Sequence, residues 1–240
     1  MKFSRLSEID LAKAMSVPTG PALEDAMRHY NAGGGAWSYG PTRASTPDLV
    51  AAKPPLVEVR SVPWVQLTSQ ITRACTRGAD QVASNVQVSQ VLFDSARQLG
   101  WTAVQEAMGS LSVGFGESVR YWSDVVIADA DGPFIPFFDH RRSGGLISPV
   151  VRYIAFSMQH IGVRERNPDL ADARLAIVRF PVVGETRTMT VHFHDGSTLL
   201  PYEDLDARVR VVYQTWARIS EDRTTTRRAS GGGGPTPFGF

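Results

Sequence analysis

YWSDVVIADADGPFIPFFDHRR, residues 121–142, decides how the fold is read. Two β-rich runs, 119–128 and 133–139, flank Asp131-Gly132. An Asp-Gly pair between apolar runs is a strong hairpin signal, because the tight turn needs positive φ. The acids of this stretch divide in two. Asp129 and Asp131 belong to the turn, whereas Asp124 and Asp139 stand where the strands begin and end.

Downstream of the hairpin, Ser148-Pro149 opens a helix, SPVVRYIAFSMQHIG, with proline at its first position and Gly162 after its end. ARLAIVRFPVVG, residues 173–184, reads as a strand. RTMTVHFHDGSTLLP, residues 187–201, reads as a second hairpin around Asp195-Gly196. In it Met189, Val191 and Phe193 share one face, and Thr190, His192 and His194 share the other. Residues 202–219 carry Leu205, Val209, Val212, Trp216 and Ile219 at helical spacing. Upstream, residues 62–80 hold a short helix, and residues 81–100 a longer one closed by Gly100. The order predicts an α+β fold, a mixed β-sheet built from two hairpins and an extra strand with helices packed on it.

Three parts follow. Residues 1–55 read as an N-terminal helix, capped by Ser4 or Ser7, and a flexible linker rich in Gly, Pro, Ser and Ala. Residues 56–222 form the core domain, and residues 223–240 a basic and Gly-rich C-terminal tail. The chain has 240 residues, 42% apolar and 20% charged, with a net charge of +1. That is a globular composition with no global electrostatic pull toward nucleic acid or anionic lipid. Cys75 is the one cysteine, which excludes an intrachain disulfide and a cysteine zinc site and suits a reducing, cytoplasmic compartment. No apolar signal region begins the chain, and no stretch approaches the roughly 20 apolar residues that a membrane helix needs.

Asp124 and Asp139 are 15 positions apart on paired strands and could converge at one sheet end. Two carboxylates there could hold Mg²⁺, a hard cation that wants oxygen ligands. Arg141, two residues beyond Asp139, could steady the charge of a phosphate. This arrangement, SD-x14-D-H-R, resembles the PD-(D/E)XK motif of the restriction-endonuclease-like nucleases, over roughly residues 80–180. The resemblance implies Asp124, Asp139 and Arg141 as catalytic residues, and Asp124 and Asp139 as metal ligands. It implies a protein that binds DNA or RNA and can cleave it. Arg141 stands where that family has lysine, and arginine cannot give up a proton, so binding without cutting is the second form of this reading.

RRSGGLISP, residues 141–149, brings two arginines and two glycines to a helix start, with Arg152 one turn on. Arg141, Arg142 and Arg152 are thus candidate phosphate contacts, with ordinary loop salt bridges as the alternative. His192 and His194 have a metal-ligand spacing; a solvated polar strand face is the plainer reading. The alternative function is a non-catalytic assembly or adaptor component. Its docking residues would be Trp37 and Tyr39 in the linker, and Phe238 and Phe240 at the tip of the tail. A protein partner or a second copy would receive them.

Overall fold

In the computed structural model, which describes residues 6–30, 39–53, 61–114, 117–119 and 124–230, the Asp131-Gly132 hairpin lies at the middle of a five-stranded mixed sheet. β4 (Val125–Asp129) and β5 (Gly132–Asp139) pair antiparallel, with Asp129 opposite Gly132. Gly132 has φ 109°, a conformation that a side chain would strain. Asp129 Oδ1 accepts from the Asp131 N–H at 2.9 Å and pairs with Arg174, so these two acids do serve the turn.

β1 (Thr102–Gln105) pairs antiparallel with β4 on one side. On the other, β6 (Arg174–Arg179) runs parallel to β5, and β9 (Thr190–Phe193) antiparallel to β6. The order is β1-β4-β5-β6-β9. Two small ribbons join β2 (Leu111–Val113) to β3 (Glu117–Val119), and β7 (Val182–Val183) to β8 (Thr186–Arg187). The turn at Asp195-Gly196 is not followed by a strand; β9 finds its partner in β6. Residues Leu175 to Val178 of β6 are buried on both faces and need a neighbour along each edge.

A parallel β5–β6 pair requires a crossover, and α7 (Pro149–Gln159) supplies it. The Ser148 hydroxyl accepts from the Val151 N–H, capping the helix where the sequence places its start. The helix runs on through a π turn, His160–Arg164, which contains Gly162.

Helices cover both faces. α7, α1 (Glu8–Met15), α2 (Pro21–His29) and α8 (Tyr202–Ser230) pack on the face of Ile135, Phe137 and Ile177. α5 (Trp64–Ala74), α6 (Ala79–Gln98), α3 (Gly40–Ala44) and α4 (Thr46–Leu49) lie against Phe134, Phe138 and Val178. The first 55 residues therefore contribute to both cores. Ile9, Leu11, Met15, Leu23 and Met27 enter the first, and Tyr39, Leu49 and Val50 the second. α8 extends to Ser230, past the point where the tail is expected to begin. Its Arg223 donates to the carbonyl of Tyr30 at 3.2 Å, satisfying backbone at the end of α2.

Candidate functional site

The acidic pair comes first. Asp139 ends β5, and the parallel register sets it opposite Arg179. It is fully buried. Its Oδ2 accepts from the Leu146 N–H at 2.7 Å and from Arg179 Nε at 3.4 Å, and its Oδ1 from the Arg141 N–H at 3.2 Å. The chain wraps the carboxylate so closely that a Cβ on Gly145 would lie 2.6 Å from its Cγ. Asp139 thus organises the loop 141–146 beneath it.

Asp124 lies just before β4 and does different work. Its Oδ1 accepts from the Met108 N–H at 3.0 Å, and its carbonyl from the Glu106 N–H at 3.1 Å, which fastens the segment after β1. The register, Ile127 opposite Phe134, puts Asp124 level with Phe137, two residues short of Asp139. A hollow of about 450 Å³ beside the strand end is lined by Asp124, Arg43, Gln105 and His140, and Asp139 is not in its wall. Among the described residues no three His, Cys, Asp or Glu side chains gather where a metal ion could be held.

The three arginines diverge. Arg141 turns to α1 and grips Asp10 with two guanidinium nitrogens, at 2.7 and 2.9 Å, with Ser7 at 3.0 Å. Burial pushes the Asp10 carboxyl up, but Arg141, Ser7 and Tyr30 together hold it below the ordinary carboxylate range. Arg152 donates to the Ile147 carbonyl of its own loop. Arg142 points to another hollow, between α6 and the β7–β8 ribbon. Sequence proximity suggested a shared phosphate cradle, and the loop distributes the three to three neighbourhoods instead.

The histidines separate likewise. His194 rests against Phe156, 5.3 Å between ring centres, with Ser197 Oγ 3.3 Å from Nε2. His160 faces Glu165 at 3.3 Å. His140 is on the opposite face of the sheet, stacked on Phe180 at 5.5 Å and Tyr39 at 5.6 Å. Burial, with Arg43 and Arg187 nearby, pushes its imidazole down to about 3. Tyr39, expected on a docking segment, is internal: 7% exposed, its hydroxyl accepts from Arg187 at 2.7 Å. Trp37, Phe238 and Phe240 lie outside the described residues.

Sequence reasoning passed over the outer edge of β9 and the adjoining flank of α7. A groove of about 420 Å³ runs there, lined by Val150, Arg152, Tyr153, Phe156, Phe193 and His194 among others. The visible signal was the alternation at 189–194, which was read for its histidines rather than for its free backbone.

Comparison with known proteins gives the family. No solved structure matches the chain. The family described as "Sliding clamp-binding bacterial toxin SocB" matches residues 9–226. A DNA replication inhibitor toxin SocB from Caulobacter vibrioides (strain NA1000 / CB15N) is 36% identical over 236 residues, 98% of each chain. These findings overturn the nuclease resemblance and the nuclease function that it implied, and nucleic-acid binding and magnesium lose the support they drew from it. The motif agrees in residue types, but Asp124, Asp139 and Arg141 are engaged in fold-building contacts. Over nearly its whole length, this chain belongs to the SocB family of sliding clamp-binding bacterial toxins.

Proposed function

We propose that this protein is a non-catalytic toxin that stops DNA replication by docking on the bacterial sliding clamp in the cytoplasm. The observation that carries the reading is the family match across residues 9–226, joined by the relative of nearly equal coverage. The folded chain then acts as a platform, and the contact to the clamp is made by a short segment. Residues 231–240, GGGGPTPFGF, have the composition for it: glycines for reach, and Phe238 and Phe240 as apolar anchors for a groove. Among the described residues no helix is long and apolar enough to cross a membrane, which agrees with a partner in the cell interior.

The test is a titration of the purified host clamp with the full chain, read by fluorescence anisotropy, beside a replication assay in cells expressing the toxin. Saturable binding and arrest of DNA synthesis are expected. A folded chain that does not bind the clamp would sink the proposal. Deletion of 231–240 should remove binding while the melting profile stays unchanged. Retained binding would transfer the contact to another part of the chain without touching the function.

A further inference from the structure

The C-terminal part of α8 passes beside a groove between α1, α2 and the start of α7. Arg223 of α8 donates to the carbonyls of Met27 at 3.4 Å and Tyr30 at 3.2 Å, and Trp216 stands edge-on to the Tyr30 ring at 5.3 Å. Met27 and Tyr30 are also in the wall of the groove, which has a volume of about 410 Å³. Ala14, Val17, Ala26 and Val151 supply the rest of its apolar lining.

The polar groups of this lining are engaged within the fold. Arg141 grips Asp10 at 2.7 Å, and the Tyr30 O–H donates to the same carboxylate at 3.2 Å. Ser16 Oγ donates to the Lys13 carbonyl at 2.7 Å, and His29 Nδ1 lies 2.9 Å from the Asp25 carbonyl oxygen. The Lys13 amine reaches over the loop after β5, 3.8 Å from where a Cβ on Gly144 would stand. An occupant of the groove therefore gains by burying apolar surface and needs no charge of its own.

Residues 231–240, GGGGPTPFGF, carry no charge and two phenylalanines. α8 ends at Ser230, so its end stands about 10 Å of helix beyond Arg223 and the groove wall. Residues 231–238 can span up to about 26–29 Å when extended, more than twice the way back. The four glycines let the chain reverse. A tether this short holds its segment at an effective concentration on the order of mM, an advantage over any free peptide of equal fit. Residues 31–38 also begin beside the groove, but they have to reach Tyr39 in the core on the other sheet face, which takes their course away from it. We infer that the tail folds back and seats Phe238 and Phe240 in the α1–α2 groove, an autoinhibitory contact that the clamp has to displace. The competition rests on the reading of residues 231–240 as the clamp contact; the fold-back does not.

NMR on the full chain reads the fold-back directly. With phenylalanine rings and the methyls of Val17, Ala26 and Met27 labelled, contacts between tail rings and groove are expected, and they should vanish when residues 231–240 are deleted. Ala26→Arg places a good helix former on the half-buried wall of α2 and fills the groove. It should abolish the contacts and tighten clamp binding about threefold for a groove affinity in the mM range, because apparent affinity scales with the fraction of tail that is free. A ratio that small leaves the melting profile in place. Val17→Arg, on the opposite wall, is the second variant, with the same expectation. Four results would each overturn the inference: no contact from the tail rings, contacts that mixed-label samples place between copies, contacts from Trp37 in their stead, or unchanged clamp affinity in folded variants that have lost the contacts. Fold-back contacts in a chain that does not bind the clamp would sink the clamp reading and leave the docking standing.

Discussion

The two margins of this sheet make an instructive contrast. At the C-terminal end of β5, Asp139 is buried with a donor for each oxygen, and the loop after it closes tightly over the carboxylate. At the outer edge of β9, Val191 and Phe193 hold backbone groups toward solvent beside a half-open apolar groove. The first margin is the conspicuous one in the sequence and is chemically spent. The second is inconspicuous in the sequence, and among the described residues no strand pairs with its outer edge. Acids and arginines draw the eye because such residue types do chemistry, yet a group whose partners are all within the fold has little left for a ligand.

Substitutions can break this contrast. The largest effect is expected at the spent margin. Asp139→Ala would leave Arg179 buried without its carboxylate and strand two N–H groups. Denaturant unfolding should show a loss of about 3–5 kcal/mol. A loss under about 1 kcal/mol would mean that the margin is not organised by this carboxylate.

His140, on the other face of the same strand end, gives a pH-dependent effect. Burial, then Arg43 and Arg187, depress its pKa from 6.5 to about 3. Between those values the unfolded chain takes up a proton that the folded one refuses, so stability falls as pH drops from 6.5 toward 3. His140→Phe should flatten that slope, by roughly 2–4 kcal/mol at the acidic end, and keep the stacking on Phe180. Parallel pH profiles for the two proteins would contradict the assignment.

Gly145→Ala should cost about 1–3 kcal/mol by overpacking against Asp139, measured by the same unfolding curve. The smallest change belongs to the open margin. Val150→Ser, on the exposed flank of the groove, should alter stability by less than about 0.5 kcal/mol. A large loss there would show that this flank is core rather than open surface.

The hairpin at Asp131-Gly132, the capped start of α7 at Ser148-Pro149 and the apolar stripe of α8 were all legible in the sequence, and the structure has each of them. Their signals are local: a turn that needs positive φ, a cap with its proline, and a period of 3.6. The packing of residues 39–50 onto the second core was not legible, because Tyr39, Thr42 and Leu49 have no period of their own. Thr42 is held from a distance by Asn85, its backbone N–H 3.1 Å from the Asn85 side-chain oxygen. The partner of β9 was misread for a similar reason. An Asp-Gly turn announces a bend, and only the exposed edge of β6 decides which strand is taken up.

The sequence by itself determined the fold class, the central hairpin and the list of charged residues near its end. Tertiary structure decided what those residues do. Asp124 and Asp139 share one sheet face yet serve different loops, and Arg141, Arg142 and Arg152 lie close in sequence yet go to Asp10, the α6 hollow and the α7 groove. The physical reason is that a side chain reaches only a few ångströms. Whether neighbours in sequence meet at one point is therefore settled by loop path and strand register.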